Sequence, residues 1–141
     1  MRWFIAAIAL IGLLTSVAAL REHYNTGASP CNINDKWDCG LVNHSPYAVY
    51  ARVPVAAIGI AGYVLLGTLA LMRFRRLLLL AALVGLGFSL YLTRIEAQVL
   101  QVWCLYCVIS LASISLITLL ALLAALRGRN KQTQAVSIPS P

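Results

Sequence analysis

Four long apolar runs, at residues 3–20, 53–72, 77–93 and 102–126, divide this chain, with polar and charged residues gathered between them. A helix rises about 1.5 Å per residue, so roughly 20 residues cross a hydrocarbon core of about 30 Å. Two of the runs are long enough as they stand, and residues 3–20 and 77–93 gain the missing turn from their flanks. A long loop (21–52), the tight turn "RFRR" and a short connection (94–101) join them. The pattern predicts an all-α integral membrane protein: a four-transmembrane-helix bundle with a long extracytoplasmic loop between helices 1 and 2. Residues 1–126 make the membrane domain. Residues 127–141 are polar, basic and end in Pro-Ser-Pro, which predicts a disordered cytoplasmic tail. Within the long loop, "HSPYAVYARVPV" predicts an interfacial helix feeding helix 2, with Ser45 as cap, Pro46 in the first turn and Pro54 kinking or restarting it.

Composition sharpens the membrane reading. The chain is 61% hydrophobic and 11% charged with a mean hydropathy of +0.84, more apolar surface than a soluble domain of 141 residues can hide. The first run also fits a cleaved signal peptide, with Arg2 ahead of it and Ser16, Ala18 and Ala19 as a small-residue cleavage site. Cleavage would leave the side on which each later loop faces unchanged. Charge then sets orientation. Arg2, Arg73, Arg75, Arg76, Arg127, Arg129 and Lys131 fall on one side, unaccompanied by acid. Arg21, Lys36, Arg52 and Arg94 balance Glu22, Asp35, Asp38 and Glu96 on the other. The whole +7 excess therefore lies on one face, which the positive-inside rule makes cytoplasmic, as in a bacterial inner membrane. Topology accounts for the basic excess better than nucleic-acid binding does.

That orientation, drawn from charge alone, puts all four cysteines on the oxidising side: Cys31 and Cys39 in the long loop, Cys104 and Cys107 at the outer end of the last run. Four cysteines allow three pairings, and the sequence selects none. Spacing of three sets Cys104 and Cys107 on one helical face in the first turns, where free N–H groups and the helix dipole favour a thiolate. Apolar burial opposes that by raising the thiol pKa. Simple packing would suffice for one such cysteine; a C-x-x-C pair beside Trp103 and Tyr106 points to redox chemistry. Zinc is a rival, with His23 and His44 in the same loop, but the spacing matches no common finger. Cys31 and Cys39 enclose the polar "NINDKWD", and read either as a structural staple or as a labile exposed disulfide.

Two pairs on one side suggest a relay. A soluble dithiol does not easily reach a reactant dissolved in lipid, but a mobile loop disulfide can meet it and pass electrons to a fixed pair at the membrane edge. The final acceptor must be lipid-soluble and take two electrons, which describes a quinone. Gly59, Gly62, Gly67, Gly85, Gly87 and Ser89 supply close helix packing, Tyr63, Phe88 and Tyr91 are candidates to line an apolar slot, and Arg94 and Glu96 read as an interfacial pair. A non-enzymatic membrane protein with two structural disulfides is the alternative.

The ordered set C-x7-C, Ser45 six residues after Cys39, then W-C-L-Y-C opening the last helix resembles the vitamin K epoxide reductase family, over roughly residues 3–126. DsbB-type thiol oxidases carry the C-x-x-C pair early instead. The resemblance implies that Cys31 takes the partner's thiol, Cys39 exchanges with Cys104, and Cys107 faces a quinone of the ubiquinone, menaquinone or vitamin K type. It places Ser45 near that site. Animal members have an asparagine and a tyrosine in the pocket where this chain has, approximately, Val55 and Leu111, neither able to hydrogen-bond a quinone or epoxide oxygen. The expectation is therefore a bacterial-type enzyme supporting disulfide formation, with a separate thioredoxin-like or DsbA-like partner and no metal, and with vitamin K quinone or epoxide reduction as the alternative activity.

Overall fold

The computed structural model describes residues 1–24, 27, 32 and 34–137, the side chains of 135–137 excepted. The helices are α1 (Arg2–Tyr24), the short α2 (Cys39–His44), α3 (Val55–Leu71), α4 (Arg75–Ile95) and α5 (Leu105–Ser137). A 3₁₀ turn (Pro46–Ala48) and a two-stranded hairpin, β1 (Val49–Tyr50) with β2 (Val53–Pro54), lead into α3, and a π-helical turn (Glu96–Leu100) follows α4. Among these, α1, α4 with its π-turn and α5 are long and apolar enough to cross a membrane, while α3 is a shorter apolar helix. Large side chains such as Phe4 (72% exposed) and Val84 (73% exposed) face outward. Water would not tolerate so much exposed apolar surface on a monomer, whereas lipid does. The protein is an all-α membrane protein.

Small residues set the helix spacing. A Cβ at Gly12 of α1 would overlap the Tyr63 ring of α3, and one at Gly59 would come 2.8 Å from Ser16 Oγ. These contacts, with Ala9 near Gly67, run in opposite senses along the two helices, so α1 and α3 are antiparallel. Gly12 was not among the packing glycines expected from sequence, and Gly62 and Gly87 have no neighbour where a Cβ would stand. The α4–α5 pair is antiparallel too: Gly85 adjoins Ile114, and Thr118 Oγ1 donates to Ala82 O at 3.3 Å. Ile5, Leu66, Leu78, Ala82, Ile117 and Ala121 form the buried centre.

Two local expectations differ from what is observed. The segment from Ser45 is no interfacial helix, because Ala51 (φ 52°) and Arg52 (φ 68°) adopt the left-handed pair that closes a two-residue hairpin. Pro54, without an N–H, ends that hairpin and precedes the first turn of α3. Ser45 Oγ donates back to Val42 O at 2.8 Å and makes no side-chain cap to the following turn. At the other end, α5 runs to Ser137 where a disordered tail was expected from residue 127. Arg127–Gln134 carries good helix formers and no proline, so the sequence permits the extension.

Candidate redox site at the start of α5

Backbone pairing assembles the site. Trp103 N donates to Lys36 O at 2.7 Å, and Asp38 N donates to Trp103 O at 3.0 Å, so the loop ahead of α2 lies as a short parallel bridge against the lead-in to α5. Asp38 also caps α2, its carboxylate accepting from Leu41 N at 2.9 Å. Cys39, the first residue of α2, is thereby brought against Cys104, the residue before α5. Both are fully buried and share one apolar cluster with Val42, edged by Leu100, Val102 and Leu105. Cys39 is disulfide-bonded, whereas Cys104 and Cys107 are free thiols. Cys31 lies outside the described residues.

Asn43 ties the two cysteines together. Its buried Nδ2 donates to Cys39 O at 2.9 Å and to Cys104 Sγ at 3.6 Å, while its own carbonyl accepts from His23 Nδ1 at 2.6 Å. His44 Nδ1 likewise donates to Gly40 O at 2.7 Å, and the two imidazoles stack at 6.3 Å between centroids. The histidines are thus engaged by main chain. Among the described residues, no group of three or more His, Cys, Asp or Glu is placed to hold a metal ion.

The opposing influences on Cys104 leave its pKa lowered. A hydrogen bond from the Cys107 thiol holds Cys104 below the usual cysteine range, assisted by the N–H groups of Cys107 and Tyr106. Burial and the nearby Glu96 charge oppose this and lose.

Glu96 is the residue sequence reasoning misplaced. It was expected to pair with Arg94 at the interface. Arg94 is exposed, but the π-turn swings Glu96 inward until it is 3% exposed, and its Oε2 accepts from Cys104 N at 3.3 Å. The signal was available: an ionisable side chain within a largely apolar stretch, eight residues ahead of the C-x-x-C pair, is a functional candidate by default.

Beside Cys107 a cavity of about 800 Å³ opens between α1, α3, α4 and α5. Ser45, Val55, Tyr63 and Phe88 line it, together with Cys107 and Glu96. Tyr91 is exposed and borders a separate recess of about 90 Å³, and Leu111 packs against the helix core instead of lining the cavity. Tyr63 Oη donates to Ser110 O and shares a second contact with Ser110 Oγ, both at 2.8 Å. Ser110, three residues after Cys107, was also missed, although helical spacing puts it on the same face.

A C-x-x-C pair opening the last long helix, facing a loop cysteine in one buried cluster beside an apolar cavity, coincides with a match to the family model described as vitamin K epoxide reductase over residues 3–122. The chain belongs to the vitamin K epoxide reductase family. The matched segment contains all four cysteines, Glu96 and every cavity-lining residue. Comparison with curated proteins finds no match. Vitamin K epoxide reductase family members are membrane oxidoreductases of the thiol and quinone type, so the cavity and its flanking thiols have a chemistry to serve.

Proposed function

We propose that this protein is a quinone-linked membrane thiol oxidase that supports disulfide formation. Four helices cross the membrane with both termini cytoplasmic, and the cysteines lie on the extracytoplasmic side. A thioredoxin-like dithiol delivers two electrons, attacking the Cys31–Cys39 disulfide at Cys31. Cys39 then attacks the Cys104–Cys107 disulfide at Cys104 and releases Cys107 as a thiol, and Cys31 re-forms its bond with Cys39 and releases Cys104, so that electrons collect on the Cys104/Cys107 pair. The observation that carries this reading is the common burial of Cys39 and Cys104 in one cluster, with Cys107 opening onto the cavity.

The cavity fits a quinone head with the start of its prenyl tail. Its volume is in the ligand-binding range, its walls are chiefly apolar, and Tyr63, Asn43 and Glu96 add isolated polar groups. A quinone supplies a two-electron, two-proton acceptor. The chain's part is to present the Cys107 thiol, exclude water and ease the ionisation of Cys104. Val55 brings no hydrogen-bonding group to the cavity wall, which favours thiol oxidation over epoxide reduction.

The test is anaerobic reduction of ubiquinone and menaquinone analogues by purified protein with a dithiol donor. Cys107→Ala is expected to abolish it and to trap a Cys39–Cys104 disulfide. Cys31→Ala should spare reduction by a small dithiol and impair turnover with a protein partner. Equal activity in all four single cysteine variants would rule out the relay.

A further inference from the structure

We propose that Glu96 carries protons from the Cys104/Cys107 dithiol to the acceptor in the adjoining cavity, a role that rests on the thiol-oxidase reading above. Burying a carboxylate among apolar helices is costly, and simple electron transfer between sulfurs requires none. Yet Glu96 is buried where it touches both halves of the reaction. Its Oε2 takes the Cys104 N–H at 3.3 Å, its carboxyl group interacts with the Cys107 thiol, and it lines the cavity.

The stoichiometry creates the need. Forming the Cys104–Cys107 bond breaks two S–H bonds and releases two electrons and two protons, and reducing a quinone to its hydroquinone consumes the same number of each. Cys104 is fully buried, so bulk water is not at hand to take a proton. Each proton passes from sulfur to the Glu96 carboxylate and on to the acceptor, one to each of the two quinone oxygens, leaving the carboxylate ionised again after each transfer. The other groups facing the thiols serve this less well. Asn43 does not titrate, Tyr106 is too weak an acid to accept a proton as phenolate at neutral pH, and the Tyr63 hydroxyl is committed to Ser110.

A carboxylate acting this way has a second, opposite effect, since its standing charge discourages thiolate formation beside it. The two effects separate in experiment. In membrane-embedded protein, Glu96→Gln is expected to slow reduction of a short-tailed ubiquinone analogue by about 10²-fold, the usual scale of general acid–base catalysis. In the same protein without quinone, labelling of Cys104 and Cys107 by methyl methanethiosulfonate should hold steady or rise by up to about tenfold as the charge is removed. Glu96→Asp should recover part of the turnover. Turnover of Glu96→Gln at the wild-type rate overturns the proposal, and so does labelling that falls in parallel with turnover, which marks a structural role. Should Glu96→Gln not fold, Glu96→Asp decides: slowed turnover with an enlarged solvent deuterium isotope effect supports the relay, and wild-type values for both refute it. Failure of the unaltered protein to reduce any quinone analogue would instead sink the thiol-oxidase reading, and is seen before any Glu96 variant is made. Slower quinone-free labelling in Glu96→Gln would then still count against Glu96.

Discussion

Replacing Asn43 by leucine tests the link between the loop cysteine and the helix pair. Leucine keeps the branching and the number of heavy atoms but is larger, so no cavity is created and the change combines mild overpacking with the loss of two hydrogen bonds from Nδ2. The contact between His23 and the Asn43 carbonyl uses main chain and survives. The neutral bond to Cys39 O is worth about 1 kcal/mol, and that to Cys104 Sγ about 1.5 kcal/mol when the sulfur is ionised. The second figure corresponds to raising the Cys104 pKa by about one unit. At a pH below that pKa the thiolate population falls about tenfold. The remaining thiolate is more nucleophilic, with a Brønsted slope of about 0.4–0.5, so attack on a disulfide slows by only about three- to fourfold. The assay is the rate at which the Cys39–Cys104 disulfide forms in a Cys107→Ala background, with and without Asn43→Leu, followed by acid quenching and gel mobility. An unchanged or faster rate, in protein of normal helix content, would refute the assignment of Asn43 to the Cys104 sulfur.

Further outcomes follow from the same contacts. Because the Cys107 thiol is the largest influence lowering the Cys104 pKa, Cys107→Ala should move the pH midpoint of Cys104 reactivity upward, and Cys107→Ser, which keeps a donor, should move it less; reactivity is lost as pH falls through that midpoint. Gly12→Ala drives a methyl group into the Tyr63 ring and should destabilise the protein by about 1–3 kcal/mol, read as a lower melting temperature in detergent, with Tyr63→Leu restoring part of the loss. Cysteine-directed labels at Asn32 and Trp103 should be blocked by the same membrane-impermeant reagent; protection from opposite sides of the bilayer would end the proposed topology.

What the sequence made legible was whatever hydrophobic length and residue spacing encode. The apolar runs marked α1, α3, α4 and α5 to within a few residues, apart from the extension of α5, and the C-x-x-C pair marked the start of the last helix. Glu96 was legible only as an ionisable residue in an apolar stretch, and Asn43 not at all, because their contacts depend on burial that residue spacing does not encode. A π-turn turns Glu96 inward, and a short α2 aims Asn43 at a sulfur sixty-one positions away. Neither event leaves a periodic trace. The hairpin at Ala51 and Arg52 was hidden for another reason: both residues adopt left-handed backbone that glycine or asparagine would have announced. Among the aromatic candidates, Tyr63 and Phe88 reach the cavity and Tyr91 does not, a distinction set by helix rotation, which spacing alone leaves open.

The stitch between the loop and the lead-in to α5 is made wholly of peptide groups, from Lys36 carbonyl to Trp103 amide and from Trp103 carbonyl to Asp38 amide. Such a seam is indifferent to what the side chains at those positions are. Lys36 and Trp37 could be exchanged for residues of other charge or shape while the placement of Cys39 against Cys104 stayed as it was. On the proposed thiol-oxidase reading, the surface offered to a partner and the path between sulfurs are thereby free to diverge independently within a stretch of four residues.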